Sequence, residues 1–151
     1  MRISILTIRI FTQKMGRLLG IDYGTKRVGL ATTDTLKLIA NTLTTVRTHD
    51  ILAFLKDYLS KEEVECFVLG KPMRLDGSDS ESAIHVEKFI HLLHKHFPNI
   101  PVKMVDERFT SAIATRSMLE MGLKKKDRAK KSNIDQISAV LILQTYMQQQ
   151  S

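Results

Sequence analysis

The chain has 151 residues, 43% hydrophobic and 26% charged, with a formal net charge of +7. That length supplies one compact core and excludes two full domains, while the excess of Lys and Arg favours a polyanionic partner, because clustered cations displace counterions from phosphate backbones. The single cysteine, Cys66, excludes an internal disulfide and fits a reducing cytoplasm, where this chain is expected to reside.

Residues 1–14 have two readings. They are either an extension ahead of a second start at Met15-Gly16-Arg17, or an edge strand, since Ile3, Ile5, Leu6, Ile8 and Ile10 are good strand formers. They carry Arg2, Arg9 and Lys14 and no acid, so the basic balance weakens without them but survives. Arg9 interrupts the apolar run and no small-residue cleavage site follows, which argues against a signal peptide. No stretch is long enough to span a bilayer, so no membrane partner is expected. Residues 15–147 form the expected domain, and 148–151 a frayed polar tail.

Arg17 to Ile21 reads as a short apolar strand ending in the turn Asp22-Tyr23-Gly24-Thr25, with Arg27 to Thr32 as its hairpin partner. A third strand lies near Thr42 to Val46. Three consecutive strands followed by helices predict an antiparallel meander feeding an α/β arrangement. From His49 to Lys61, Ile51, Leu52, Leu55, Tyr58 and Leu59 recur at helical spacing, with Asp50 near the N-cap. Cys66 to Leu69 is a continuous apolar run closed by Gly70-Lys71-Pro72, as expected of a strand buried on both faces, and there the thiol serves as a small hydrophobe.

Met73 to Ser80, with the turn dipeptide Asp76-Gly77, is a loop at that strand's C-terminal edge, where ligands of α/β sheets collect. A helix follows from about Ser80 to His96, presenting Ala83, Val86, Phe89, Ile90 and Leu93 and stopped by Pro98 and Pro101. His85, His91, His94 and His96 lie on or near it. The His91 and His94 spacing invites zinc, but with no thiol or further ligand nearby they read as solvated. Val102 to Val105 is the next strand, running into Asp106-Glu107-Arg108-Phe109-Thr110-Ser111. A helix from Ser111 to Met121 is closed by Gly122. Leu123 to Ser132 holds Lys124, Lys125, Lys126, Arg128, Lys130 and Lys131 against Asp127 alone, the pattern of an exposed basic loop. The last helix begins near Asn133 and turns Ile134, Ile137, Val140, Leu141 and Tyr146 to the core.

Three acids sit where a strand ends or a helix begins: Asp22, Glu107 beside Asp106, and Asp135. Hydrolysing a phosphodiester requires neutralising phosphate charge and making a strong nucleophile from water, which Mg²⁺ or Mn²⁺ held by a few carboxylates can do. Asp22 follows Leu18, Leu19 and Ile21, so its carboxylate is partly buried and needs a partner. Strand alternation puts Asp106 and Glu107 on opposite faces, and only one can enter the site. Asp135, taken alone, fits a helix cap through Ser132-Asn133-Ile134-Asp135.

Taken together, Gly20-Ile21-Asp22-Tyr23-Gly24-Thr25-Lys26-Arg27-Val28-Gly29, Val68-Leu69-Gly70-Lys71-Pro72, Asp76-Gly77, Asp106-Glu107-Arg108-Phe109-Thr110-Ser111 and Asp135-Gln136-Ile137-Ser138-Ala139-Val140 resemble, in this order, the YqgF family, also called RuvX. The resemblance spans about Arg17 to Tyr146. It implies a ribonuclease H-like α/β fold: a mixed five-stranded sheet, meander plus parallel strands, flanked by helices. It implies a metal-dependent nuclease that matures the 5′ end of pre-16S ribosomal RNA or resolves DNA four-way junctions, acting as a monomer or homodimer. Position by position, Asp22, Glu107 and Asp135 would be the catalytic metal ligands. Thr25, Lys26 and Arg108 would contact phosphate, and the basic loop from Lys124 to Lys131 would hold the nucleic-acid backbone. One departure stands out: related resolvases place an acid at the end of the fourth strand, where Gly70-Lys71-Pro72 has none.

Two other readings fit parts of the chain. Gly20 to Thr25 also looks like the first phosphate-binding loop of actin-like ATPases and sugar kinases, which need two such domains where this chain supplies one. The same fold also serves as a non-catalytic nucleic-acid-binding module, against which retention of all three acids argues.

Overall fold

The computed structural model describes residues 16–73, 76, 81–107 and 131–150. In chain order these form β1 (Arg17–Tyr23), β2 (Arg27–Thr33), β3 (Ala40–Arg47), a 3₁₀ turn (Thr48–Asp50), α1 (Ile51–Lys61), β4 (Val64–Lys71), α2 (Ser82–His96), β5 (Val102–Asp106) and α3 (Lys131–Gln150). The strands make one sheet in the order β3-β2-β1-β4-β5. β1, β2 and β3 pair antiparallel, whereas β1, β4 and β5 run parallel. This is the mixed five-stranded sheet that the sequence predicts.

Period-two alternation sorts the strand residues onto two cores. Leu19, Ile21, Val28, Leu30, Phe67 and Leu69 pack with Ile51 and Leu55 of α1 and Val86, Phe89 and Leu93 of α2. The alternate residues Leu18, Ala31, Cys66, Val68 and Val105 pack with Ala139, Ile142 and Leu143 of α3. The central strands are therefore covered on both faces. Tyr23 continues the first face, its ring stacked on Phe89 with centroids 4.3 Å apart. Cys66 is buried in the second and takes no part in a disulfide.

Several boundaries differ from the sequence reading. β1 does not turn at Asp22 but continues through Tyr23, because Asp22 and Tyr23 still pair with Gly29 and Val28. The chain then reverses in a tight turn in which the Gly24 N–H donates to the Arg27 carbonyl at 2.9 Å. Thr48 braces that turn: its hydroxyl donates to the Gly24 carbonyl at 2.7 Å and its N–H to the Lys26 carbonyl at 3.1 Å. α1 begins at Ile51, and Asp50 in front of it makes no side-chain cap bond. α3 begins at Lys131, so Ser132 lies inside the helix and the capping-box reading of Asp135 falls. The same helix continues through Gln148, Gln149 and Gln150. Residues 1–14, the helix predicted over 111–121 and the basic run up to Lys130 lie outside the described residues. No helix among those described is long and apolar enough to cross a membrane.

At the end of the sheet remote from Asp22, the β2–β3 connection is fixed by Asp34, whose carboxylate accepts the N–H groups of Leu36, Leu38 and Ile39 at 2.8–3.1 Å. Those three apolar side chains are exposed. Leu143, by contrast, is fully buried between α3 and the sheet. In urea denaturation, Leu143→Ala is expected to cost about 2–5 kcal/mol, whereas Leu36→Ser should change stability by no more than about 0.5 kcal/mol.

Candidate active site

Alternation also decides which acids meet. Leu18, Gly20 and Asp22 share the face of β1 that looks toward α3, because Leu19 and Ile21 belong to the opposite core. The register sets Asp22 opposite Gly29. A Cβ at Gly29 would overlap the backbone carbonyl of Asp135, so this glycine is what lets the first turns of α3 reach the sheet beside Asp22. On the other flank, Val105 faces α3, and Glu107, two residues on, faces the same way. The ladder extends one residue past β5 to hold it there, the Glu107 N–H donating to the Lys71 carbonyl at 3.0 Å.

Gly70, opposite Val105, answers the missing acid at the end of β4. A Cβ there would overlap the carboxyl group of Glu107. The space above the fourth strand thus holds a carboxyl group after all, delivered from the neighbouring strand. Asp106 points the other way and is exposed.

Asp22 and Glu107 are hydrogen-bonded to each other. Two carboxyl groups can do this only with a proton between them, and both titrate upward. Burial is the main cause for each. Asp22 is pushed up to about 6, with the Asp135 charge adding to the burial effect and the Glu107 bond opposing it. Glu107 is pushed up to about 9 by burial, then by the Asp22 charge and the shared bond. Around neutral pH the pair therefore shares one proton, and its titration belongs to the two groups together.

Asp135 approaches this pair closely enough to be felt electrostatically by Asp22, but its carboxylate is committed elsewhere. Oδ2 accepts from Nε of Arg27 at 3.1 Å. Among the described residues no three His, Cys, Asp or Glu side chains are placed to hold one metal ion together. The pair fits a hard divalent cation well, being two half-buried oxygen ligands that share a proton where a cation would otherwise balance their charge. Asp135 is adjacent, with its carboxylate paired to Arg27.

Of the expected phosphate contacts, Thr25 and Lys26 lie exposed in the β1–β2 turn, three and four residues beyond Asp22. Arg108, Lys124, Lys125, Lys126, Arg128 and Lys130 lie outside the described residues, and Lys131 is the first residue of α3. The sequence reading did not single out Arg27, nor Gln136, whose Nε2 donates to Thr45 Oγ1 at 3.1 Å and ties α3 to β3. A signal for Arg27 existed. Val28 and Leu30 alternate with Arg27, Gly29 and Ala31, which marks a small-residue face with one cation at its active-site end.

Residues 16–149 match the sequence model of the RuvX family, described as Holliday junction resolvase. A protein of Bacteroides thetaiotaomicron named "Putative pre-16S rRNA nuclease" is 53% identical over 134 residues, 89% of this chain and 97% of that one. A Porphyromonas gingivalis protein of the same name is 53% identical over 133 residues, 88% of this chain and 96% of that one. Among solved structures, Thermus thermophilus RuvC in complex with a Holliday junction substrate superposes with a TM-score of 0.56 at 15% identity, covering 90% of this chain and 97% of that one. At that identity the likeness is one of fold, and the fold is ribonuclease H-like.

The raised carboxyl groups carry a stability cost with a definite sign. Unfolded, they titrate near the ordinary values of 3.8 and 4.5, whereas folded they keep their protons to about 6 and about 9. The native state thus binds more protons across that interval, so the stability the pair contributes is full at the acid end and is lost as pH rises toward 9. Glu107→Gln should flatten this slope in metal-free protein and raise stability at pH 8 by roughly 1–2 kcal/mol, read from thermal melts between pH 5 and 9. Melts that remain as steep in the variant would contradict the shared proton.

Proposed function

Because this chain belongs to the RuvX family, we propose that it is a metal-dependent nuclease that hydrolyses phosphodiester bonds in structured RNA, trimming the 5′ end of pre-16S ribosomal RNA. The observation that carries the reading is the half-buried Asp22–Glu107 pair at the C-terminal ends of β1 and β5, with Asp135 beside it. The substrate class follows the names of the relatives that share about half of these residues along nearly their whole length.

Asp22 and Glu107 would hold the cation, Mg²⁺ or Mn²⁺, with Asp135 as the third acid. A divalent cation bound there would offset phosphate charge and make water acidic enough to supply a nucleophile at neutral pH. The chain's own residues prepare that chemistry. Burial beneath α3 strips water from Asp22 and Glu107, which strengthens their attraction for a cation. The proton that the two carboxyl groups share is the one such binding must displace. Thr25 and Lys26, on the exposed turn, sit where a phosphate backbone approaching this edge would meet them, and the basic run from Lys124 to Lys131 adds contacts that hold the backbone and read no sequence.

The family's description favours one further substrate, a DNA four-way junction, and one assay separates the two. Mn²⁺-dependent cleavage is measured on a pre-16S ribosomal RNA fragment and on a synthetic four-way DNA junction, with wild type and Asp22→Asn. The expected result is RNA cleavage that falls roughly 100-fold or more in the variant, although the variant melts no lower than wild type, and a rate that drops steeply with salt. Equal cleavage by both proteins would sink the catalytic assignment, and cleavage of the junction alone would transfer it to DNA.

A further inference from the structure

Arg27 opens β2 on the face that looks toward α3, and its Nε–H donates to Asp135 Oδ2 at 3.1 Å. Both backbones at this contact are anchored. The Arg27 carbonyl accepts from Gly24, and the adjacent Lys26 carbonyl accepts from Thr48. The Asp135 backbone lies against Gly29, and Gln136 next to it is tied to Thr45. Movement of the Asp135 carboxylate between Arg27 and the Asp22–Glu107 pair is then a matter of side-chain rotation. The ion pair itself is exchangeable: the Arg27 side chain is 37% exposed and the Asp135 side chain 22%, and pairs open to water on one side are weak and readily traded. A guanidinium offers five N–H donors in a planar fork that suits a phosphodiester as well as a carboxylate.

From this geometry we infer that Arg27 is a positioning residue that latches Asp135 away from the acid pair in the substrate-free protein. A nucleic-acid phosphate arriving at this edge takes over the guanidinium and frees Asp135 to turn toward Asp22 and Glu107. Completion of the three-acid centre is thereby coupled to the presence of a phosphodiester. The inference rests on the metal-dependent reading proposed above and deepens it, since it names what assembles the centre.

The test is Mn²⁺ affinity, measured by calorimetry without turnover on wild type, Arg27→Gln, Arg27→Lys, Asp135→Asn, Asp22→Asn and the Arg27→Gln/Asp135→Asn double variant. Arg27→Gln should bind Mn²⁺ on the order of tenfold more tightly than wild type, because Asp135 is released, and Arg27→Lys should stay near wild type because it keeps the latch charge. The gain should vanish when the double variant is compared with Asp135→Asn. If it persists there, it reflects the lost positive charge alone and the latch is overturned. A non-hydrolysable phosphorothioate RNA should tighten Mn²⁺ binding to wild type but not to Arg27→Gln. That wild-type arm needs no variant to fold, and its failure overturns the latch. Loss of Mn²⁺ binding in Asp22→Asn without any gain in Arg27→Gln would reject the latch and leave the metal centre standing. Unaltered binding in Asp22→Asn would reject the centre itself.

Discussion

Asp22 and Glu107 come from strands that are not neighbours, with β4 between them, yet their carboxyl groups meet and share a proton. Such a contact is unfavourable on its own terms. Burial removes the water that would stabilise either charge, and each charge repels the other, so the pair persists only because the surrounding fold leaves it no alternative. The rest of the centre is arranged around this constraint. Asp135 adds a third negative charge, paired with Arg27. Three acids thus gather beneath one helix, an arrangement that a hard divalent cation would stabilise.

The fold enforces the contact chiefly through missing side chains. Gly20 admits Leu143 and Ala139 of α3 to the surface of β1, Gly29 admits Asp135, and Gly70 leaves room for the Glu107 carboxyl group. All three lie on the face of the sheet that α3 covers. The opposite face carries large residues, Leu19, Ile21, Phe67 and Leu69, packed on α1 and α2. A deep apolar layer on one side and a thin one on the other lets the helix bearing Asp135 come near enough to matter chemically, while the core on the far side supplies most of the burial that holds the strands in register.

Much of this was legible in the sequence. The strand and helix periods located every described element, and the three acids were identified from where each stands in its element. Family resemblance then implied the meander and the parallel strands that extend it, and the structure gives their order. What could not be read was register. Alternation separates Asp106 from Glu107 but does not say which faces α3 until Val105 is seen packed against that helix. Asp135 resembles a cap only if α3 starts at Asn133, whereas the helix already includes Lys131. The apparent gap at Gly70 was a real departure in sequence but not in space, since only a folded sheet reveals that a carboxyl group from the next strand fills it. Arg27, in a turn-rich segment, carries no mark in the sequence of its partner 108 residues away.

The central claim is that the proton shared by Asp22 and Glu107 occupies the place of a divalent cation. Proton release on Mn²⁺ binding tests this most directly, measured at pH 7.5 by titration calorimetry in buffers of differing ionisation enthalpy. The account predicts release of about one proton per ion bound by wild type, and a clearly smaller release by Glu107→Gln. Binding without proton release in the wild type, or equal release by both proteins, would contradict it.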